Sequence, residues 1–369
     1  MSIIIDKSIC QRVAMTGVKY KDNHPGGISA VVRYWSEYID GLQYYPTFQE
    51  GTQWLKAATF ISAYSKLYWK LLTDSRVEIV HIHTAAGTDF ERSTRILQLA
   101  KRFGKKIVLH SHASQFKVYY ASVTEEKRAE IVCTLKKADV LIALSESWKE
   151  WFISLGVEPT RIVILHNITA YPTILDDVRN ARATDLTNRP VRFLFMGEIG
   201  DRKGVFDIIR GLREHRNEIA GKLELRIGGN KREEELRKAI TDGGLLDIVK
   251  FEGWVAGDKK IELLNWADVY ILPSFNEGLP ISILEAMSYK MPIISTPVGG
   301  IPEVVDKSNG ILVTPGHHDE IFIAMKHYLD VKTDILKHGN ESYKKVETYL
   351  PNYVLVHLKD IYEDLLCRK

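Results

Sequence analysis

Two glutamates, Glu277 and Glu285, stand with seven residues between them in the stretch SFNEGLPISILEAM (274–287). The apolar run DVYILPS (268–274) reads as a strand ending at Ser274. A helix is expected to begin at Leu279 or Pro280, since proline suits the first helical position. Ile283, Leu284 and Met287 would form its buried stripe. The amides of Gly278 and Leu279 then lie near a helix N-terminus, at the carboxyl end of a parallel strand. Open α/β sheets bind ligands there, and a diphosphate is readily received. Glu285 would sit roughly 7–8 Å along the helix axis, a distance that suits a carboxylate accepting from two vicinal ribose hydroxyls. Glu277, ahead of the helix, could accept from sugar hydroxyls or face positive charge developing at an anomeric carbon. The plainer reading stays open: acids near the positive end of a helix dipole are favoured by about 0.3–1 kcal/mol each.

A diphosphate needs cations. The segment MGEIGDRKGVFDII (196–209) places Arg202 and Lys203 in a glycine-bounded loop after an apolar run. They could neutralise phosphate, or be solvated loop charges. In HPGGISAVVRYW (24–35), Gly26 and Gly27 feed a helix and could bring backbone amides against a phosphate or an acceptor. A plain tight turn explains them nearly as well. Histidines recur as His81-x-His83 and His110-x-His112, each pair at a strand's carboxyl end. Imidazoles at i and i+2 share a strand face, but no carboxylate or cysteine has an obvious place as third ligand. No metal site is expected.

Positioning these groups requires alternating strands and helices. Nearly continuous apolar runs at VEIVHIH (77–83), KKIVLHSH (105–112), ADVLIALS (138–145) and RIVILHN (161–167) read as strands buried on both faces. A polar stretch from 168 to 190 closes with a proline, and its later part reads as a linker. A second series follows: VRFLFMGE (191–198), KLELRIGG (222–229), IVKFEGWV (248–255), DVYILPS (268–274), MPIISTP (291–297) and GILVTP (310–315). Two doubly wound, parallel-sheet α/β domains are expected, over 1–170 and 190–351.

The string P-S-F-N-E-G-L-P-x-x-x-L-E-A-M, followed by T-P-V-G-G-I-P-E, resembles the signature of retaining glycosyltransferases of family 4. Weaker matches run from Pro25-Gly26-Gly27 to the C-terminal helix. The resemblance implies the GT-B fold, two facing Rossmann-like domains with the active site in the cleft between them. It implies transfer of a sugar from a nucleotide-diphosphate donor with retention of configuration. Glu285 would hold the ribose and Glu277 the donor sugar, with Gly278, Leu279 and Pro280 as the backbone rim. Lys203-Gly204 matches the family's phosphate-binding lysine, and His112 its active-site histidine, which contacts the donor sugar and helps place the acceptor. Asn167 matches a cleft-shaping position. Where the family has an arginine after the first glycine of the phosphate loop, this chain has Glu198. Arg202 is the expected substitute. The resemblance also implies that 352–369 crosses back onto the first domain.

Other features bound the class. The 369 residues carry a net charge of +3, too little for a nucleic-acid binder without a basic stripe. Three scattered cysteines exclude a disulfide framework and fit a reducing cytosol. The start, MSIIIDKSICQRVAM, lacks the pattern of a signal peptide, so a cytoplasmic location is expected. No GxGxxG, P-loop, HExxH, GxSxG or apolar-flanked DxD is present, and no nucleophile is evident across from the reaction centre. That favours front-face displacement without a metal or other cofactor, by positioning and electrostatics. The aromatic-rich stretch 54–72 carries Lys56, Lys66 and Lys70, near a second cluster at Lys101, Arg102, Lys105 and Lys106. It could rest on an anionic inner leaflet and reach a lipid-linked acceptor, or bury its apolar face in the core. The acceptor expected is a glycan or a lipid-linked glycan, in bacterial surface polysaccharide synthesis. A catalytically silent relative, a nucleotide-sugar epimerase or an inverting transferase are the alternatives, with an NAD-dependent oxidoreductase a remote one.

Overall fold

The computed structural model describes residues 3–21, 26–112, 114–174, 186 and 188–368. The chain divides into two compact units, residues 1–169 with 349–369, and residues 170–348. Most of the stretch read as a linker lies outside the described residues, as do His24 and Pro25 of the HPGG turn.

The first unit has one sheet of β1 (Val13–Val18), β2 (Tyr44–Phe48), β3 (Ile79–Thr84), β4 (Lys106–Ser111), β5 (Val140–Ala143) and β6 (Ile162–Ile164). Their spatial order is β2-β1-β3-β4-β5-β6, and every pairing is parallel. Four of the six match the apolar runs. The additional two have weaker signatures: Thr16 and Gly17 interrupt the apolar character of β1, and β2 contains Pro46. Proline lacks an amide donor and is tolerated on an edge strand; β2 is the edge of this sheet. The order reverses between β1 and β3, the switch point where doubly wound sheets open a crevice.

The second unit has β7 (Val191–Met196), β8 (Leu223–Gly228), β9 (Val249–Gly253), β10 (Val269–Leu272), β11 (Ile293–Ser295) and β12 (Gly310–Leu312). Its order, β12-β11-β10-β7-β8-β9, is that of a Rossmann sheet, with the switch between β7 and β10. All six coincide with the expected runs.

Seven helices position the groups of interest: α1 (Gly27–Ser36), α2 (Gln53–Thr73), α3 (Thr88–Arg102), α4 (Val205–Glu214), α5 (Gly257–Trp266), α6 (Ile281–Ser288) and α7 (Pro351–Cys367). Their ends follow capping chemistry. The Thr52 side chain accepts from the Leu55 amide ahead of α2. Helix α3 carries Asp89 and Glu91 in its first turn and Lys101 and Arg102 in its last, matching the dipole. Helix α7 belongs to the first unit. Its Tyr362 hydroxyl lies 2.6 Å from His81 Nδ1, and Lys106 Nζ donates to the Leu365 carbonyl at 2.6 Å.

Candidate active site

The two loops at the switch point of the second sheet are locked together. After β7 the chain makes a short 3-10 turn, Asp201–Lys203, and Gly204 takes a left-handed φ of 72° at the mouth of α4. A Cβ on Gly204 would lie 2.2 Å from the Pro273 carbonyl oxygen after β10, so only glycine allows this approach. Two further bonds join the loops. The Phe275 amide donates to the Arg202 carbonyl at 2.8 Å, and Arg202 Nη1 donates to the Asn276 carbonyl at 3.3 Å. Lys203 Nζ then donates to Glu277 Oε1 at 2.5 Å. The Lys203 side chain is 14% exposed and that of Glu277 6%.

Helix α6 starts at Ile281, with Pro280 as its N-cap at ψ 121°. The sequence reading put Leu279 or Pro280 inside the helix; proline stands one residue earlier because its extended ψ ends the turn rather than opening the helical run. Gly278, Leu279 and Pro280 are buried. The turn is held from below by the loop after β11. The Gly300 amide donates to the Gly278 carbonyl at 2.6 Å, and a Cβ on Gly299 (φ 58°) would lie 2.0 Å from the Glu277 carbonyl oxygen. Glu285, the fifth residue of α6, is buried and accepts from Lys260 Nζ of α5 at 2.6 Å. Beneath both acids lies Tyr270, fully buried, whose hydroxyl donates to the Met196 carbonyl at 2.9 Å. Burial raises its phenol far above the ordinary value, and the nearby carboxylates of Glu285 and Glu277 add to the effect. Two ion pairs, Lys203–Glu277 and Lys260–Glu285, therefore flank one helix mouth at the carboxyl ends of β7 and β10. A diphosphate inserted there meets a lysine and backbone amides, with acids placed for hydroxyls.

In the first unit the histidines form one stack. Register pairs His83 with His110 across β3 and β4. His81 Nε2 lies 3.3 Å from His110 Nδ1, and His83 Nδ1 lies 2.8 Å from His112 Nε2. Trp35 of α1 packs on His81, His83 and His110 at ring separations of 5.2–5.7 Å. Burial holds all four imidazoles below the ordinary histidine value, His81 and His112 down to about 3. At His112 a side-chain hydrogen bond with Asn167 partly opposes that shift. The ring nitrogens of His81, His83 and His110 lie within 4.8 Å of one another, but His81 uses both of its own on Tyr362 and His110. Gly26 caps α1 at φ 121°, and among the described residues a Cβ on Gly27 would meet nothing within 4 Å.

Comparison with known proteins follows this division. Residues 32–169 match the family model described as Glycosyltransferase Family 4, and residues 190–330 the one described as Glycosyl transferases group 1. The chain belongs to the family 4, group 1 glycosyltransferases. Among relatives in the family, the amylovoran biosynthesis glycosyltransferase AmsK of Erwinia amylovora is 25% identical over 271 residues, covering 71% of this chain and 63% of that one. The lipopolysaccharide 1,6-galactosyltransferase of Salmonella typhimurium is 27% identical over 216 residues, 57% of this chain and 56% of the relative. The matches span 44–63% of the lengths of the first four curated relatives. The fold is GT-B, shared with Anabaena HepE in complex with UDP (TM-score 0.75, 17% identity, 96% of this chain and 99% of that one). It is shared equally with sucrose-phosphate synthase of Thermosynechococcus elongatus (TM-score 0.77, 17% identity, 97% and 99%).

Glu198 makes no hydrogen bond or ion pair among the described residues, while Arg202 is fixed to the backbone one residue before Glu277. Lys260 was not singled out from sequence. It reaches Glu285 from α5, 25 residues earlier, and nothing in its local stretch GDKKIELL marks it. Trp254, just after β9, is 47% exposed, whereas Val255 is buried against Gly228.

Proposed function

We propose that this protein is a retaining glycosyltransferase that moves a sugar from a nucleotide-diphosphate donor to a glycan or lipid-linked glycan, in surface polysaccharide synthesis. The pairing of Lys203 with Glu277 and of Lys260 with Glu285 at one helix mouth carries the reading. Relatives named for amylovoran, colanic acid and lipopolysaccharide synthesis support the pathway class. Structures of HepE with UDP, and with UDP and glucose, support the donor class.

In this reading Lys203 turns from Glu277 to the diphosphate, and Glu277 is released to the sugar hydroxyls. Arg202 and the amides of Gly278 and Leu279 complete the anion cradle, with Pro280 as part of its backbone rim, and Glu285 accepts from the ribose hydroxyls. His112, Gly26 and Gly27 are the first unit's contribution to sugar and acceptor recognition. The bond from the anomeric carbon to the phosphate oxygen breaks as the acceptor oxygen bonds on the same face. The departing phosphate takes the acceptor's proton, so no protein nucleophile and no metal is required. We further place the protein in the cytoplasm, in peripheral contact with the inner face of the membrane.

Titration of UDP in EDTA buffer tests the donor site. Glu285→Gln should bind UDP about ten- to a hundredfold more weakly, the equivalent of about 1.5–3 kcal/mol for a hydrogen bond to a charged group. With 2′-deoxy-UDP the wild type should lose most of that advantage over the variant. Equal UDP affinity in the two proteins, or binding that strictly needs Mg²⁺, would count against the assignment.

A further inference from the structure

Helix α2 has two apolar faces, and the fold uses one. Ala63, Leu67 and Leu71 are buried. On the opposite side Trp54 is 87%, Ile61 63% and Leu72 52% exposed. At about 100° per residue these three fall within roughly 20° of one line, with Trp69 beside them. Soluble proteins seldom leave such a continuous apolar surface open.

The charge around this line has one sign. No aspartate or glutamate occurs from Gln53 to Thr73. Lys66 lies to one side. On the other, a groove of about 280 Å³ between α2 and α3 is lined by Phe60 and Tyr64, with Leu99, Arg95 and Arg102 on its α3 side. The two arginines are exposed, share a helix face at i and i+7, and have no hydrogen-bond or ion-pair partner among the described residues. Tryptophan near both ends of an apolar line, flanked by cations, is the composition of a helix that lies in a lipid interface. A symmetric pairing of two copies through this face would instead bring like charges together.

We propose that α2 seats the first unit on an anionic phospholipid surface, with Trp54, Ile61 and Leu72 at the headgroup–acyl boundary and Arg95 and Arg102 on lipid phosphates. This deepens the peripheral-membrane part of the functional reading, and rests on that reading only for its purpose, access to a lipid-linked acceptor.

The test is co-sedimentation of the full chain with vesicles of equal parts phosphatidylglycerol and phosphatidylcholine, and with phosphatidylcholine alone, alongside UDP titration. Binding is expected only with phosphatidylglycerol, weakening with salt and shifting tryptophan emission to the blue. Arg95→Gln and Arg102→Gln should each weaken it about fivefold, the equivalent of about 1 kcal/mol per basic residue near the surface. The triple variant Trp54→Ser, Ile61→Ser, Leu72→Ser should lose binding with its melting temperature and UDP affinity unchanged. No vesicle binding, equal binding to phosphatidylcholine alone, or full binding by the triple variant overturns the proposal. So does a dimer seen by light scattering that the triple variant abolishes. With UDP affinity intact, each of those results leaves the transferase reading standing; lost UDP binding beside intact vesicle binding does the reverse.

Discussion

Lys203→Ala is expected to lower turnover by roughly a hundred- to a thousandfold, the scale for removing one preorganised group that stabilises developing charge. Lys203 is the cation in direct contact with Glu277, held there by the Gly204–Pro273 approach and the Arg202–Phe275 bond. Removing it also leaves a nearly buried carboxylate without its partner, which for a buried pair costs about 3–5 kcal/mol, less here because some solvent reaches the lysine. Stability and catalysis separate in the double variant Lys203→Ala, Glu277→Gln. With no buried charge left unpaired, its urea midpoint should recover most of the loss, while turnover stays at the level of the single variant. A folded Lys203→Ala protein with turnover within about threefold of wild type would remove Lys203 from the chemistry.

Acid should destabilise the first unit steeply. Its four stacked histidines are held neutral because burial disfavours their charged forms, His81 and His112 down to about 3 and His83 and His110 also well below the ordinary value. In the unfolded chain each titrates near about 6.5. Below that pH the unfolded state binds protons that the native state refuses, so their contribution is complete above about 6.5 and is lost as pH falls toward 3. Each histidine contributes at most about 1.4 kcal/mol per pH unit across that window, and four together at most about 5.6 per pH unit, against a total stability of about 5–15 kcal/mol. Urea midpoints measured in steps from pH 7 to 5 should fall steeply, with the ring resonances of His81, His83, His110 and His112 in the native protein unshifted. A midpoint that stays flat, or native rings titrating near the ordinary value, would show that the stack is not held neutral.

The second unit was the more legible half in sequence, for a physical reason. Its central strands β7, β10 and β11 are near-continuous apolar runs buried on both faces, and its site motif is local, a glycine turn and helix mouth within one stretch. The first unit hides β1 behind Thr16 and Gly17, and β2 behind Pro46 at a half-buried edge. Spacing placed His81 with His83, and His110 with His112, on common strand faces. It did not reveal that register would set His83 against His110, or that Tyr362, some 281 residues further along, would close the stack. Lys260 escaped notice on the same grounds: its partner comes from another element, and ion pairs across elements leave no periodic trace. The position of Pro280 turned on a single ψ angle, which residue type alone leaves open between N-cap and first helical position.

The anomeric configuration of the transfer product, read by proton NMR from an α-configured UDP-hexose in EDTA buffer, tests the proposed chemistry most directly. Front-face displacement at a helix mouth flanked by Lys203–Glu277 and Lys260–Glu285 predicts an α-linked product, formed without added metal. A β-linked product, or no turnover of any UDP-hexose by protein that still binds UDP, would contradict it.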